Sequence, residues 1–176
     1  MRSESAAIRP GWFEVVRGAL LVLAVFALAG CAKKDNAPDP AVIGKAFLAR
    51  NAHAPGVSVT ADGLQYRILH SGPATGLKPK PADEVKFDYE GKFVDGVVFD
   101  SSYERGVPAV TTLRDLTPGF REALEMMRPG DQWLIYVPAK LGYGDKGAGP
   151  IPPGSVLVFK VDLIGVLPDQ SSIGKG

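Results

Sequence analysis

Apolar residues recur along this chain at two spacings, every second residue and every third to fourth, and these spacings divide it into strands and helices. Val85, Phe87 and Tyr89 alternate with polar neighbours, and Val97, Val98 and Phe99 follow beyond Asp95-Gly96. That pair suits a tight turn, because glycine accepts the positive φ that hairpin turns require. The pattern predicts a β-hairpin over residues 85–105, with Tyr89, Phe99 and Asp100 close together at a sheet edge. Gly63 to His70 alternates likewise, with Leu64, Tyr66 and Ile68 on one face and Gln65 and Arg67 on the other. Three more strands are expected: Ala109 to Leu113; a run with Trp133, Ile135 and Val137 inward that Pro138 ends; and a last run with Leu157, Phe159, Val161 and Leu163 on one face and Lys160 and Asp162 on the other.

The longer spacing appears at Phe120, Ala123, Leu124 and Met127, one stripe of a helix that Pro129-Gly130 stops. Thr117 is suited to cap its free amides, and Pro118 sits where a helix has no use for an amide proton. Residues 41–51 predict about three further turns with an imperfect apolar face through Val42, Ile43, Ala46 and Phe47, weakened by Gly44. Residues 71–83 and 140–154 are rich in Gly and Pro and read as loops. Several antiparallel strands with one short amphipathic helix imply an α+β domain, a sheet curled over that helix.

The amino terminus departs from this pattern. Arg2, Arg9 and Arg17 precede an apolar run over residues 18–30, which is shorter than the ~20 residues a bilayer-spanning helix needs. Such a run reads as the core of a signal peptide. It ends in Leu28-Ala29-Gly30-Cys31, which carries the only cysteine and resembles the bacterial lipoprotein box, in which cleavage precedes a cysteine that is then acylated by palmitate-type chains. Several acyl chains would anchor the protein stably. Ala32 after that cysteine, by the same resemblance, favours the outer membrane facing the periplasm. The expected organisation is a lipoprotein signal peptide over 1–30, a tether with a short helix over 31–59, a globular domain over 60–167 and a tail over 168–176.

Composition adds mainly exclusions. Removing residues 1–30 takes away three arginines and two glutamates and leaves a formal net charge of zero, so nothing steers nucleic acid to the chain. With Cys31 acylated no thiol remains for a disulfide or for catalysis. The only histidines, His53 and His70, lie outside any motif, which argues against a Ser-His-Asp set and leaves no metal-ligand spacing. Gly142 to Gly149 lacks the Gly-Lys-Ser/Thr ending of a phosphate cradle. What remains is aromatic: Tyr89, Phe99, Phe120, Tyr143 and Phe159, each alone more often core than site.

Five co-linear motifs change that weighting. They are Phe87-Asp-Tyr-Glu-Gly91, Val98-Phe-Asp-Ser-Ser102 after Asp95-Gly96, Pro118-Gly119-Phe120, Gly142-Tyr143-Gly144, and Ile151-Pro152-Pro153 with Leu157-Val158-Phe159. Together, over roughly residues 60–167, they resemble the FK506-binding-protein type of peptidyl-prolyl cis-trans isomerase, in the macrophage-infectivity-potentiator and periplasmic branch. The resemblance implies a twisted antiparallel sheet wrapped around a short helix, with no cofactor and no metal. It implies a prolyl pocket walled by Tyr89, Phe99, Leu116, Thr117, Phe120, Ile151 and Phe159, with Asp100 and Tyr143 as the catalytic polar groups and Arg105 as a structural partner. It further implies proline-containing unfolded or secreted polypeptides as substrates, macrolides as inhibitors, and a membrane reached through the lipid. Ala109, Thr117 and the loop over 147–150 depart from many members, and oligomeric state is left open. A groove of this kind serves either an isomerase or a binding module that holds unfolded chains without turnover.

Overall fold

The computed structural model describes residues 38–169, so the expected signal segment, Cys31, the expected tether up to residue 37 and the expected tail from residue 170 lie outside the described residues. Helix α1 (Pro40–Asn51) is followed by β1 (Val57–Val59), β2 (Gln65–His70), β3 (Glu84–Phe93) and β4 (Val98–Ser101). A single-turn helix α2 (Ser102–Arg105), β5 (Ala109–Thr112), α3 (Pro118–Met126), β6 (Gln132–Val137) and β7 (Leu157–Leu167) complete the order. All seven strands form one antiparallel sheet in the order β1-β2-β6-β7-β3-β4, with β5 also paired to β3. The α+β architecture is as the alternation implied.

Strand β3 organises the sheet. Along one edge it pairs with β7 from Glu84↔Leu167 to Phe93↔Leu157. Along the other its first half pairs with β5 and its end with β4, leaving Asp88 and Tyr89 between the two partners. The fully buried Ser102 fills that gap: its hydroxyl accepts from the Tyr89 amide at 2.9 Å and donates to Asp88 Oδ1 at 2.7 Å. A ladder bond missing from the sheet is thus replaced by a side chain, as a buried amide requires.

The core lies between α3 and one face of the sheet. Phe120, Ala123, Leu124 and Met127 are buried there against Val85, Ile135, Val161 and Leu163. Each large side chain so buried contributes about 1.5–3 kcal/mol before entropy is counted. Gly96 in the β3–β4 turn takes φ +91°, as the hairpin reading required. The buried carboxylates of Asp83 and Asp131 hold the loops by accepting backbone amides from Lys80 and Asp169, and from Arg128 and Gly72.

Four expectations are corrected. The hairpin's second strand ends at Ser101, within the expected Asp100-Ser101-Ser102, but the residues from there to Arg105, counted with the hairpin, form α2, which Ser101 Oγ starts by accepting from the Glu104 amide and Gly106 closes. Gln65, expected to face solvent, is buried because α1 covers it, accepting from Asn51 and donating to the Leu48 carbonyl at 2.9 Å. Ile68, expected inside, is exposed next to a register shift in the β2–β6 pairing. Thr117 occupies the cap position of α3 without a side-chain cap bond. Helix α1 forms as expected but packs by a different stripe: Val42 points outward, whereas Gly44 is buried so closely that an added Cβ would meet Val156 Cγ2 at 2.6 Å. Phe47 lies 5.9 Å from Tyr136, on the sheet face opposite α3.

Candidate active site

The strand alternation of β3 sends Phe87 and Tyr89 to the same face, and β7 supplies Phe159 beside them. Helix α3 adds Phe120 from its first turn, and β4 adds Phe99. These five rings form the apolar floor and wall of a groove of about 280 Å³. Phe120 and Phe159 meet edge to face at 5.0 Å, Phe99 and Phe159 at 5.7 Å, and Tyr89 and Phe120 at 6.2 Å. Edge-to-face contact is the favoured arrangement of aromatic pairs and holds each ring against rotation. Gly91 makes the approach of Phe99 and Phe159 feasible, since a Cβ there would lie 2.7 and 2.8 Å from their ring atoms.

One side of the groove is polar. The Tyr89 hydroxyl donates to Asp100 Oδ2, and the Arg105 guanidinium donates to Asp100 Oδ1 and, at 3.0 Å, to the Tyr89 hydroxyl. The guanidinium carbon also stands 5.5 Å from the Tyr89 ring centre. Burial pulls the Asp100 carboxyl upward, but the hydrogen bonds from Tyr89 and Arg105 outweigh it and hold it below its ordinary 3.8. Burial, and then the bond to Asp100, raise the Tyr89 hydroxyl above its ordinary value. Asp100 is therefore a fixed negative charge with both oxygens engaged, unsuited to shuttle protons near neutrality.

Helix α2 carries Arg105 to this network and is itself fastened from outside. The Tyr103 hydroxyl donates to Asp162 on β7, and Lys160 stands 5.4 Å over the Tyr103 ring. Burial and that bond push the Tyr103 hydroxyl well above its usual range.

Tyr89, Phe99, Asp100, Leu116, Thr117, Phe120, Tyr143 and Phe159 all line the groove. Thr117 turns toward it rather than capping α3. Tyr143 is 40% exposed, on a loop held by amide bonds from Gly144 to Ala139 and from Gly154 to Gly144. Ile151 is buried in the core cluster that also holds Phe120 and Phe159, and it pairs with Ala148 through two backbone bonds. Phe87, Ala109, Thr111 and Asp115 also line the groove. Phe87 was within reach of sequence reasoning, two residues before Tyr89 on the same strand face. Ala109 and Thr111 share a face of β5, but nothing local marks that face as a wall. Among the described residues no three His, Cys, Asp or Glu side chains converge where they could hold a metal ion.

The profile of the family described as FKBP-type peptidyl-prolyl cis-trans isomerase matches residues 76–164, and that of the domain amino terminal to it matches residues 27–68. The chain is 50% identical over 123 residues to the peptidyl-prolyl cis-trans isomerase Mip of Coxiella burnetii, covering 69% of this chain and 53% of that protein. It is 44% identical over 124 residues to the outer membrane protein MIP of Legionella longbeachae, covering 70% and 52%. Among solved structures it resembles FkpA from Escherichia coli, with a TM-score of 0.71 and 37% identity over 74% of this chain and 60% of that one. The chain thus spans about half the length of the curated relatives it matches.

Proposed function

Because the chain belongs to the FKBP-type peptidyl-prolyl cis-trans isomerases, we propose that it catalyses rotation about X–Pro bonds in polypeptides folding in the bacterial cell envelope. The observation that carries this reading is the aromatic groove bounded by a fixed carboxylate. Rotation about a peptide bond costs about 18–20 kcal/mol because the amide loses its resonance, and no bond to a nucleophile or metal is required. A planar amide is more polar than its twisted form, so a dry apolar groove disfavours the ground state relative to the transition state. Phe99, Phe120 and Phe159 would hold the proline ring. The Tyr143 hydroxyl, which makes no hydrogen bond to the described residues, is free to donate to the rotating carbonyl. Asp100 supplies a negative edge, held in place by Tyr89 and Arg105.

The same reading takes residues 1–30 as a lipoprotein signal, Cys31 as the acylated anchor, 31–59 as tether and short helix, 60–167 as the isomerase domain and 168–176 as a tail. An outer-membrane position facing the periplasm follows from Ala32, and the outer-membrane name of the Legionella longbeachae relative supports it. The substrates are proline-containing unfolded or secreted polypeptides, and macrolides that fill the aromatic groove would inhibit.

The test is the cis-to-trans rate of a short X–Pro peptide with the full chain and with Phe99→Ala. Uncatalysed isomerisation takes tens to hundreds of seconds. The parent is expected to accelerate it, and Phe99→Ala to lose about tenfold or more in kcat/KM with its circular dichroism unchanged. A folded parent without any acceleration would leave the groove as a binding surface only.

A further inference from the structure

A second and larger groove, of about 490 Å³, opens beside the first. Three segments build it: Pro40 and Ile43 of α1, Phe93 and Val97 at the β3–β4 turn, and Pro152 and Val156 of the loop before β7. Its shape depends on the close seat of α1 on Val156 at Gly44, where a methyl group would already collide. The wall is apolar yet open to solvent, with Val97 57% and Ile43 37% exposed. Its two polar side chains offer no donor: Ser155 Oγ gives its proton to the Pro152 carbonyl at 2.7 Å, and Asp95 is an acceptor whose Oδ1 takes the Val97 amide at 3.0 Å. With no free donor in the wall, the ligand this groove fits is an apolar side chain.

The two grooves share a partition. Phe99 lines the first and Phe93 the second, and their ring centres lie 5.0 Å apart. From Phe159 in the first groove, ring steps of 5.7 Å to Phe99 and 5.0 Å to Phe93 lead into the wall of the second. An extended chain advances roughly 3.3 Å per residue, so three or four residues cross the partition. We propose that the second groove binds an apolar side chain, aromatic or large aliphatic, of the same polypeptide whose proline occupies the first, three or four residues from that proline. This rests on the isomerase reading of the first groove and adds a sequence preference to it. Two linked contacts on one chain also raise the effective concentration of proline at the first groove. The substrate so selected is an exposed, still unfolded segment, because large apolar side chains are commonly buried once folding is complete.

The experiment uses the full chain, a proline tetrapeptide too short to cross the partition, and dodecapeptides bearing Phe or Ala at each position three or four residues to either side of proline. The expected result is a KM roughly tenfold lower for the Phe peptide than for its Ala counterpart on one side of the proline. That advantage should vanish in Val97→Asp and in Ile43→Asp, which come from different segments of the wall, while tetrapeptide turnover stays at the parent's level. Equal KM values for Phe and Ala peptides, or an advantage that survives both substitutions, would overturn the proposal and leave the isomerase reading standing. Fluorescence anisotropy of the same labelled peptides reads the second groove without turnover. A parent that binds the Phe peptide in a Val97-dependent way but does not turn over the tetrapeptide would sink the isomerase reading instead. A photocrosslinker at position 97 is expected to label the Phe peptide. Labelling only of residues before 38 in the same chain, or of a second copy, would give the groove another occupant and overturn the proposal.

Discussion

Asp100 occupies the point where the aromatic and polar halves of the groove meet, and its two oxygens are taken by Tyr89 and Arg105. Its side chain is 40% exposed and its guanidinium partner stands in solvent, so screening leaves the pair with Arg105 only a small share in stability. Asp100→Ala is therefore expected to lower kcat/KM about tenfold or more while moving Tm by roughly 3 °C at most, and equal losses in both would deny the carboxylate a role in turnover. The pH dependence has a definite sign. A carboxyl held below 3.8 in the folded state contributes stability that is complete above that value and is lost as pH falls through the lower folded-state value. Thermal melts of the parent between pH 5 and strongly acidic buffer should carry this loss, and Asp100→Ala should lack that part of it. Tyr89, raised above 10.0, acts oppositely: its contribution is present below that value and is lost only as pH rises further. Between the two limits neither group titrates, so the network is constant across neutral pH.

Strand β3 brings three demands onto one element: it pairs with β7, divides its other edge between β4 and β5, and carries the floor of the groove. Gly91 is where these demands collide, directly under Phe99 and Phe159. Gly91→Ala would push both rings out of the groove. The expected result is a several-fold rise in KM for proline peptides with the strand pairing retained, measured by steady-state kinetics beside near- and far-ultraviolet circular dichroism. An unchanged KM would mean that the rings give way without closing the site. The strands themselves were legible in sequence because alternation records which face is buried, and β7 shows it over Leu157, Phe159, Val161 and Leu163. What alternation could not record is a second layer: Gln65 reads as a surface residue until α1 is laid across it. Helix α2 was invisible for another reason, since four residues are too few to show a period, and only Ser101 and Gly106 mark its ends. Most of the groove wall was reached through motif resemblance, because a motif fixes order along the chain where alternation alone does not say which aromatic rings meet.

At the scale of the whole molecule, the proposed anchor makes one prediction independent of catalysis. Cys31→Ser should abolish incorporation of labelled palmitate and move the protein from the membrane to the soluble envelope fraction, with peptide turnover unchanged; labelling that persists would remove Cys31 as the lipid site. The strand order has a different consequence. β7 lies in the middle of the sheet, between β6 and β3, although it is the last strand of the described chain, and it carries Phe159. Until it arrives, β1, β2 and β6 have no connection through the sheet to β3, β4 and β5, and the site lacks part of its floor. Such non-local pairing is slow to form. A chain threaded amino end first through a narrow export channel would therefore stay loose until β7 had passed. On the proposed reading the sheet acts as a timer: an exported isomerase would acquire its activity only after reaching the compartment in which its substrates fold.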